Sequence, residues 1–174
     1  YNRYDGYQAL SSTRFIVNVD DVATYGLEME VSATINQDIE LKAGLGLLKT
    51  KIRDAGDNYP EVEGNELNSA PSLTANIGAK YWLTETFNIG LSVNYVDEYF
   101  GDFSNTAERV AGDYSLVRLH GSYEHKNWLI SAYVNNALDD EAILSREPAS
   151  GRYPDGYASI VDPRNLGVSV TYSF

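Results

Sequence analysis

A chain of 174 residues is long enough to bury a sizeable core in one domain, and its net charge of −12 leaves no basic stripe to neutralise phosphates, which excludes nucleic acid as a partner. It has no cysteine, hence no disulfide frame and no thiolate chemistry. No apolar run reaches the roughly 18 residues of a membrane helix, but a membrane β-barrel stays open, because its strands alternate and average to mild hydropathy.

The chain begins Tyr1-Asn2-Arg3-Tyr4 with no apolar signal segment, so an exported protein is expected to continue upstream of it. Residues 1–21 are polar and aromatic with one brief apolar run, 15–19, and read as loop plus the edge of a strand. Regular alternation then starts. Tyr25, Leu27, Met29, Val31, Ala33 and Ile35 share one face, against Gly26, Glu28, Glu30, Ser32, Thr34 and Asn36. Successive strand side chains point to opposite faces, so this strand has one greasy and one wet surface. A turn at 36–38 leads into Ile39, Leu41, Ala43, Leu45 and Leu47, completing a hairpin pattern.

A polar insert over 53–69 carries Asp54, Asp57, Glu61, Glu63 and Glu66. Strands over 73–83 and 87–95 follow, joined by Thr84-Glu85-Thr86. A second insert covers roughly 102–112. Val117, Leu119 and Tyr123 then oppose Arg118, His120 and Ser122, and a turn near Lys126-Asn127 gives Trp128, Ile130, Ala132 and Val134. The third insert, about 139–163, is the longest. The closing strand sets Leu166, Val168, Val170, Tyr172 and Phe174 against Asn165, Gly167, Ser169, Thr171 and Ser173.

Connections alternate between short and long, which puts all tight turns at one end of the sheet and all long loops at the other. That is the layout of an outer-membrane barrel. The wet face is rich in Ser, Thr, Asn and Gly, as suits a lumen, whereas the outer face of a soluble sandwich is usually charged. Tyrosine, with 14 copies, favours places where one end is dry and the other wet. Tyr81, Phe87, Tyr123, Trp128, Tyr172 and Phe174 sit by the short turns; Tyr25, Tyr95, Tyr99 and Tyr114 sit by the long loops. From Phe87 to Tyr95 the chain rises roughly 26 Å at ~3.3 Å per residue, or about 20 Å vertically after a ~40° tilt, near the height of a lipid-facing band. The pattern yields about seven long strands. An odd count closes only with a parallel seam, so the expectation is an open arc whose first strand pairs with a neighbour outside this sequence.

The segment resembles the C-terminal third of a TonB-dependent outer-membrane receptor. The resemblance is carried by Tyr25-Gly26-Leu27-Glu28, Ala70-Pro71, Asp113-Tyr114-Ser115-Leu116-Val117, Val134-Asn135-Asn136-Ala137-Leu138-Asp139, and Asp162-Pro163-Arg164 ahead of Gly167-Val168 and the terminal Phe174. Ala142 departs from the pattern, where the family often carries Tyr. The resemblance implies an all-β, antiparallel up-and-down transmembrane barrel of about 22 strands with a plug domain in its lumen. This chain would be its C-terminal part, with plug, coupling box and early strands lying elsewhere. It also implies the outer membrane of a Gram-negative bacterium and active import of a scarce nutrient: siderophore-iron, a vitamin or an oligosaccharide. The implied partners are outer-membrane lipid and lipopolysaccharide, the plug, a TonB-type energy-coupling protein and the barrel-assembly machinery. Val168, Val170, Tyr172 and Phe174 would be read by that machinery. A soluble carbohydrate-binding β-sandwich and a small anchoring barrel are the other readings.

Candidate sites are weighed in the same terms. His120 and Ser122 share the wet face, but no carboxylate or amide is placed to orient the imidazole, so catalysis is not expected. His120 and His125 are on opposite faces of one strand and cannot share a metal. The acids of the first insert lack the spacing of a calcium loop. Neither metal nor cofactor is expected. Lys80 and Arg118, among Glu28, Glu30 and Glu40, are expected to form cross-strand pairs or hydrogen bonds to the plug and not to line a substrate path. Arg146, Arg152, Tyr153 and Tyr157 in the third insert are the ligand-contact candidates, because Arg and aromatic side chains on loops dominate binding hot spots.

Overall fold

A computed structural model describes residues 1–10 and 16–174. It contains β1 (Asn2–Leu10), β2 (Ile16–Asn36), β3 (Ile39–Asp54), β4 (Leu73–Thr84), β5 (Phe87–Val96), β6 (Tyr99–Phe100), β7 (Val110–Ala111), β8 (Tyr114–His125), β9 (Trp128–Asn135), β10 (Ile143–Glu147), β11 (Tyr157–Ile160) and β12 (Asn165–Tyr172). Eight of these form one antiparallel sheet in the order β1-β2-β3-β4-β5-β8-β9-β12, and β6–β7 and β10–β11 make two small ribbons. The expected seven strands are therefore eight.

The additional strand is β1, in the stretch expected to be mostly loop. It pairs with β2 from Asn2 opposite Thr24 to Leu10 opposite Ile16. Phe15, part of the expected apolar run, lies outside the described residues. The expected outside neighbour of the Tyr25 strand is thus partly inside the chain, since β1 covers the outer half of β2. From Tyr25 to Ile35, β2 pairs only with β3 among the described residues. Strands β1 and β12 do not pair with each other, so the sheet is open at both edges.

The tight turns are held by local side chains. The Asp38 amide donates to Asn36 Oδ1 at 2.8 Å, and Thr84 Oγ1 accepts from the Phe87 amide at 3.1 Å. Lys126 takes a left-handed φ of 53° in the turn between β8 and β9. Asn127 Nδ2 donates to the Ser173 carbonyl at 2.7 Å, tying the chain's last residues to that turn.

The alternating apolar rows are exposed. Leu27, Met29, Val31, Leu45, Ile77, Leu91, Leu119 and Val168 lie between 38 and 69% accessible, with no second sheet packed on them among the described residues. That rules against the sandwich, in which these rows would be covered by protein. Trp128, Tyr172 and Phe174 form a continuous aromatic chain at the short-turn rim, with ring centroids 4.8 and 5.1 Å apart. At the other rim the four tyrosines do sit by the long loops, but they do not share one outward face. Tyr25 is exposed, but the Tyr95 hydroxyl bonds Asp97 and Asp113, Tyr99 donates to the Leu144 carbonyl, and Tyr114 falls on the wet face with Arg118 and His120.

The buried core lies beyond the membrane band. Strand β3 runs past the expected start of the first insert to Asp54, and Val19, Val22 and Ile52 are wholly inaccessible there. Val62, Leu67 and Phe103 from the inserts complete the cluster. Within the sheet, a Cβ on Gly26 would collide with the Leu47 carbonyl oxygen, whereas at Gly78 the nearest atom would be 3.9 Å away. We therefore expect Gly26→Val to cost about 1–3 kcal/mol by overpacking. Gly78→Ala should stay within about 0.5 kcal/mol of wild type. Urea midpoints of the full-length protein refolded in detergent check both.

Candidate functional site

The long loops and the wet face beneath them form the candidate site. Two sequence motifs meet in its floor. Asn136, at φ 46°, donates from Nδ2 to the carbonyls of Asp140 and Asp162 and accepts from the Asp140 amide at 2.9 Å. Asp139, at φ 59°, accepts from the Arg164 amide at 2.8 Å. The Asn135-Asn136-Ala137-Leu138-Asp139 turn and the Asp162-Pro163-Arg164 segment thus clamp the two ends of the third insert. Ala142, the departure from the family pattern, is 2% exposed, and its carbonyl accepts from the Val161 amide.

Next to that clamp is a polar recess of about 380 Å³. Ser92, Asn94, Arg118, Asn135, Asn136, Asp162 and Asn165 line it, with Leu116, Val117 and Val161. Asn135 donates to Asn165 at 3.0 Å, and the Arg118 guanidinium lies 5.4 Å from the Tyr133 ring centre. One cation, one carboxylate and several amides can grip an oxygen-rich solute through hydrogen bonds. Sequence reasoning missed this group because its members come from four strands and both ends of the third insert. Only the register of β5, β8, β9 and β12 gathers them.

Below the recess, Lys80, Gly90, His120, Tyr133 and Gly167 fall in one row across five strands. The His120 ring lies over Gly90, and the Tyr133 ring would be 2.6 Å from a Cβ on Gly167, so both rings lie flat against the neighbouring strand. The expected cross-strand ion pairs do not form among the described residues. Glu40 faces Lys80 in register, yet the Lys80 ammonium sits 4.1 Å over the Trp82 ring. His120 and Ser122 do not meet either: Ser122 Oγ accepts from Asn88 Nδ2 at 2.8 Å. His120 is on the wet face and His125 on the other, stacked on Tyr123.

Of the ligand-contact candidates, three cluster. Tyr153 and Tyr157 meet edge to face at 4.9 Å, and the Arg152 guanidinium is 5.4 Å from the Tyr153 ring centre. Arg146 stands apart on β10, opposite Ala158. The β10–β11 ribbon that carries them is itself an unexpected element of the third insert. It is tied to the second insert by Arg109, whose guanidinium reaches Glu147 at 2.9 Å and Asp102 at 3.6 Å. The Asp102 carboxylate is 2% exposed and also accepts from the Thr106 hydroxyl and amide. Burial pushes the Tyr99 phenol, which bonds the same ribbon, above its ordinary value.

Residues 1–137 match the family model described as TonB dependent receptor-like, beta-barrel. This chain belongs to that family. It is 25% identical over 168 residues to the ferrioxamine receptor of Yersinia enterocolitica, covering 92% of this chain and 22% of the receptor. Its fold matches the ferric yersiniabactin uptake receptor FyuA of Yersinia pestis with a TM-score of 0.81 at 16% identity, over 99% of this chain and 26% of that one. The siderophore receptor PiuA of Acinetobacter baumannii gives 0.79 at 18%, over 98% and 24%. The chain thus spans about a quarter of the length of these relatives. As a member of the TonB-dependent receptor family it is a transmembrane β-barrel segment of a Gram-negative outer membrane. In outer-membrane barrels short turns face the periplasm and longer loops the exterior.

Two outcomes test the loop layer of this family member. Arg109→Ala leaves the Asp102 carboxylate buried without its cation, a loss of about 3–5 kcal/mol for such a pair. Faster hydrogen exchange over 97–113 and 143–160, with β4 and β5 unchanged, is the expected result. Separately, the Ser72 hydroxyl holds the Asp97 carboxyl below its ordinary value, helped by the Glu98 backbone and Tyr95. A depressed folded-state value means the tie is present at neutral pH and lost as pH falls through that value. Ser72→Ala removes that tie at neutral pH, so amide exchange over 97–113 should be faster than in the wild type there, and the difference should shrink on acidification.

Proposed function

We propose that this chain forms part of the wall of an outer-membrane receptor that imports a ferric siderophore. The supporting observation is the pairing of an exterior Arg152–Tyr153–Tyr157 cluster with the amide-rich recess around Arg118. The first offers a flat aromatic and cationic landing surface; the second offers polar groups farther in. The ferrioxamine receptor and the siderophore receptors that share the fold favour this class over a vitamin or an oligosaccharide. Arg146, Arg152, Tyr153 and Tyr157 make the outer contacts with the ligand, and no bond of the solute is made or broken.

The rest of the machine follows from the same reading. Hydrocarbon cannot satisfy an open sheet edge. The membrane stretch of β2 and the free edge of β12 are therefore covered by further strands of a larger barrel, of which this chain is the C-terminal part. A plug fills the lumen and couples to a TonB-type protein that supplies energy. Lipopolysaccharide borders the exterior rim. Val168, Val170, Tyr172 and Phe174, all exposed on the outward face, serve the assembly machinery as an insertion signal.

Uptake of radiolabelled ferrioxamine by a deletion strain carrying the full-length gene tests the proposal. Arg152→Ala and Tyr157→Ala should each raise the half-saturating concentration roughly tenfold, as expected for hot-spot truncations of about 1–2 kcal/mol. Equal uptake with and without the gene, for ferrioxamine and for other ferric siderophores, contradicts it. Removal of Phe174 should lower the amount of assembled receptor and leave the half-saturating concentration of the remainder unchanged.

A further inference from the structure

The outward face carries a trough that neither the transport reading nor the insertion signal uses. Tyr81, Ile89, Gly121, Ala132 and Val168 fall in one register row across β4, β5, β8, β9 and β12. Large side chains flank the row on both sides: Leu119 and Leu166 toward the exterior, Phe87 and Tyr123 toward the short turns. Because the middle of the row is Gly and Ala, the surface dips there into an open trough of about 870 Å³. That is within the roughly 300–1,000 Å³ of small-molecule sites. The surface of the trough is nearly all apolar, although Lys80, His120, Ser122 and Tyr133 also border it, and the row lies inside the hydrocarbon band.

The lower end of the trough adds a second kind of chemistry. His125 continues the outward face below Tyr123, its ring stacked at 6.2 Å and 7° from parallel. Lys126 follows in the turn and is exposed. The neighbouring short turns carry Asp38 and Glu85, so Lys126 is the cation among these three turn tips. A lysine at head-group depth attracts lipid phosphate. Tyr123, Trp128 and Tyr172 at the same rim are half-exposed, with apolar rings and polar tips suited to that interface.

We propose that this face retains one glycerophospholipid of the periplasmic leaflet, with an acyl chain in the trough over Gly121 and Ala132 and the phosphate at Lys126 and His125. A protein occupant fits less well. Strands β8 and β9 are paired on both sides, so they offer no free backbone edge for strand addition. The surface of the trough, being nearly all apolar, also gives a protein partner few polar contacts above the rim.

Native mass spectrometry of the full-length receptor, titrated with phosphatidylglycerol in mild detergent, tests this. The wild type should hold one lipid after the detergent is stripped. Ala132→Phe, which fills the trough, should abolish that adduct. Lys126→Gln should lower its occupancy about fivefold. Diacylglycerol, which lacks the phosphate, should bind the wild type and Lys126→Gln equally and weakly. Heat-dependent gel migration verifies folding, and if Ala132→Phe fails to assemble, Lys126→Gln decides alone, since its side chain lies outside the hydrocarbon. Phosphatidylglycerol occupancy unchanged by Lys126→Gln overturns the proposal. So does a wild type with no retained lipid, or a doubled mass that Ala132→Phe returns to monomer, which would make the trough a contact between copies.

Discussion

Hydrocarbon offers no hydrogen-bond partner, and every other feature of this chain follows from that. A backbone crossing it must satisfy each N–H and C=O within the protein, so strands lie side by side in continuous register. The interior of the sheet obeys. From Ile39 opposite Tyr81 to Phe87 opposite Tyr123, the ladders run unbroken but for a shift at the β4 end beside Thr84. Once the backbone is satisfied, the side chains sort by solvent. One face takes Leu, Ile, Val and aromatic residues; the other takes Asn, Ser, Thr and Gly. In the membrane stretch the usual relation between core and surface is inverted, because its rows of large apolar side chains are exposed.

A conventional core reappears where the lipid ends. Above the band, β1, β2 and β3 project into water and need protein to cover them. Val19, Val22 and Ile52 are buried there against Val62, Leu67 and Phe103 of the folded-back inserts. The loops are therefore a second layer with their own apolar cluster, their own buried ion network at Asp102, Arg109 and Glu147, and hydrogen bonds such as Asn105 to the Glu66 carbonyl that join one insert to the next. Such a layer holds Arg152, Tyr153 and Tyr157 at the exterior mouth while the sheet holds Arg118 and the asparagines below.

What could be read from the sequence follows the same division. The hairpins around 36–38, 84–86 and 126–127 and the closing strand were legible because two uniform solvents impose a strict period of two. Strand β1 was not. Tyr4 and Tyr7 fall on opposite parities around Gly6, and β1 lies where water and loop meet, so no single face is greasy. The β10–β11 ribbon was hidden for a related reason, since its anchors, Arg109 and Tyr99, are far away in sequence. The lumenal chemistry was half legible. Alternation places Arg118 and Lys80 on the wet face, but their settling over Tyr133 and Trp82 rather than on glutamates depends on which neighbours are large and flat.

The central claim is that one surface of this sheet is bathed in hydrocarbon and its reverse in water. This chain has no cysteine of its own, so single cysteines can be placed and spin-labelled along β4 and β5 of the full-length receptor in lipid nanodiscs, with any cysteine outside this chain replaced by serine. Collision with oxygen should dominate at Ile77, Ala79, Leu91 and Val93, and collision with a water-soluble nickel chelate at Asn76, Gly78, Ser92 and Asn94, alternating residue by residue. Nickel access at both sets, or no period of two in either relaxant, would contradict the account.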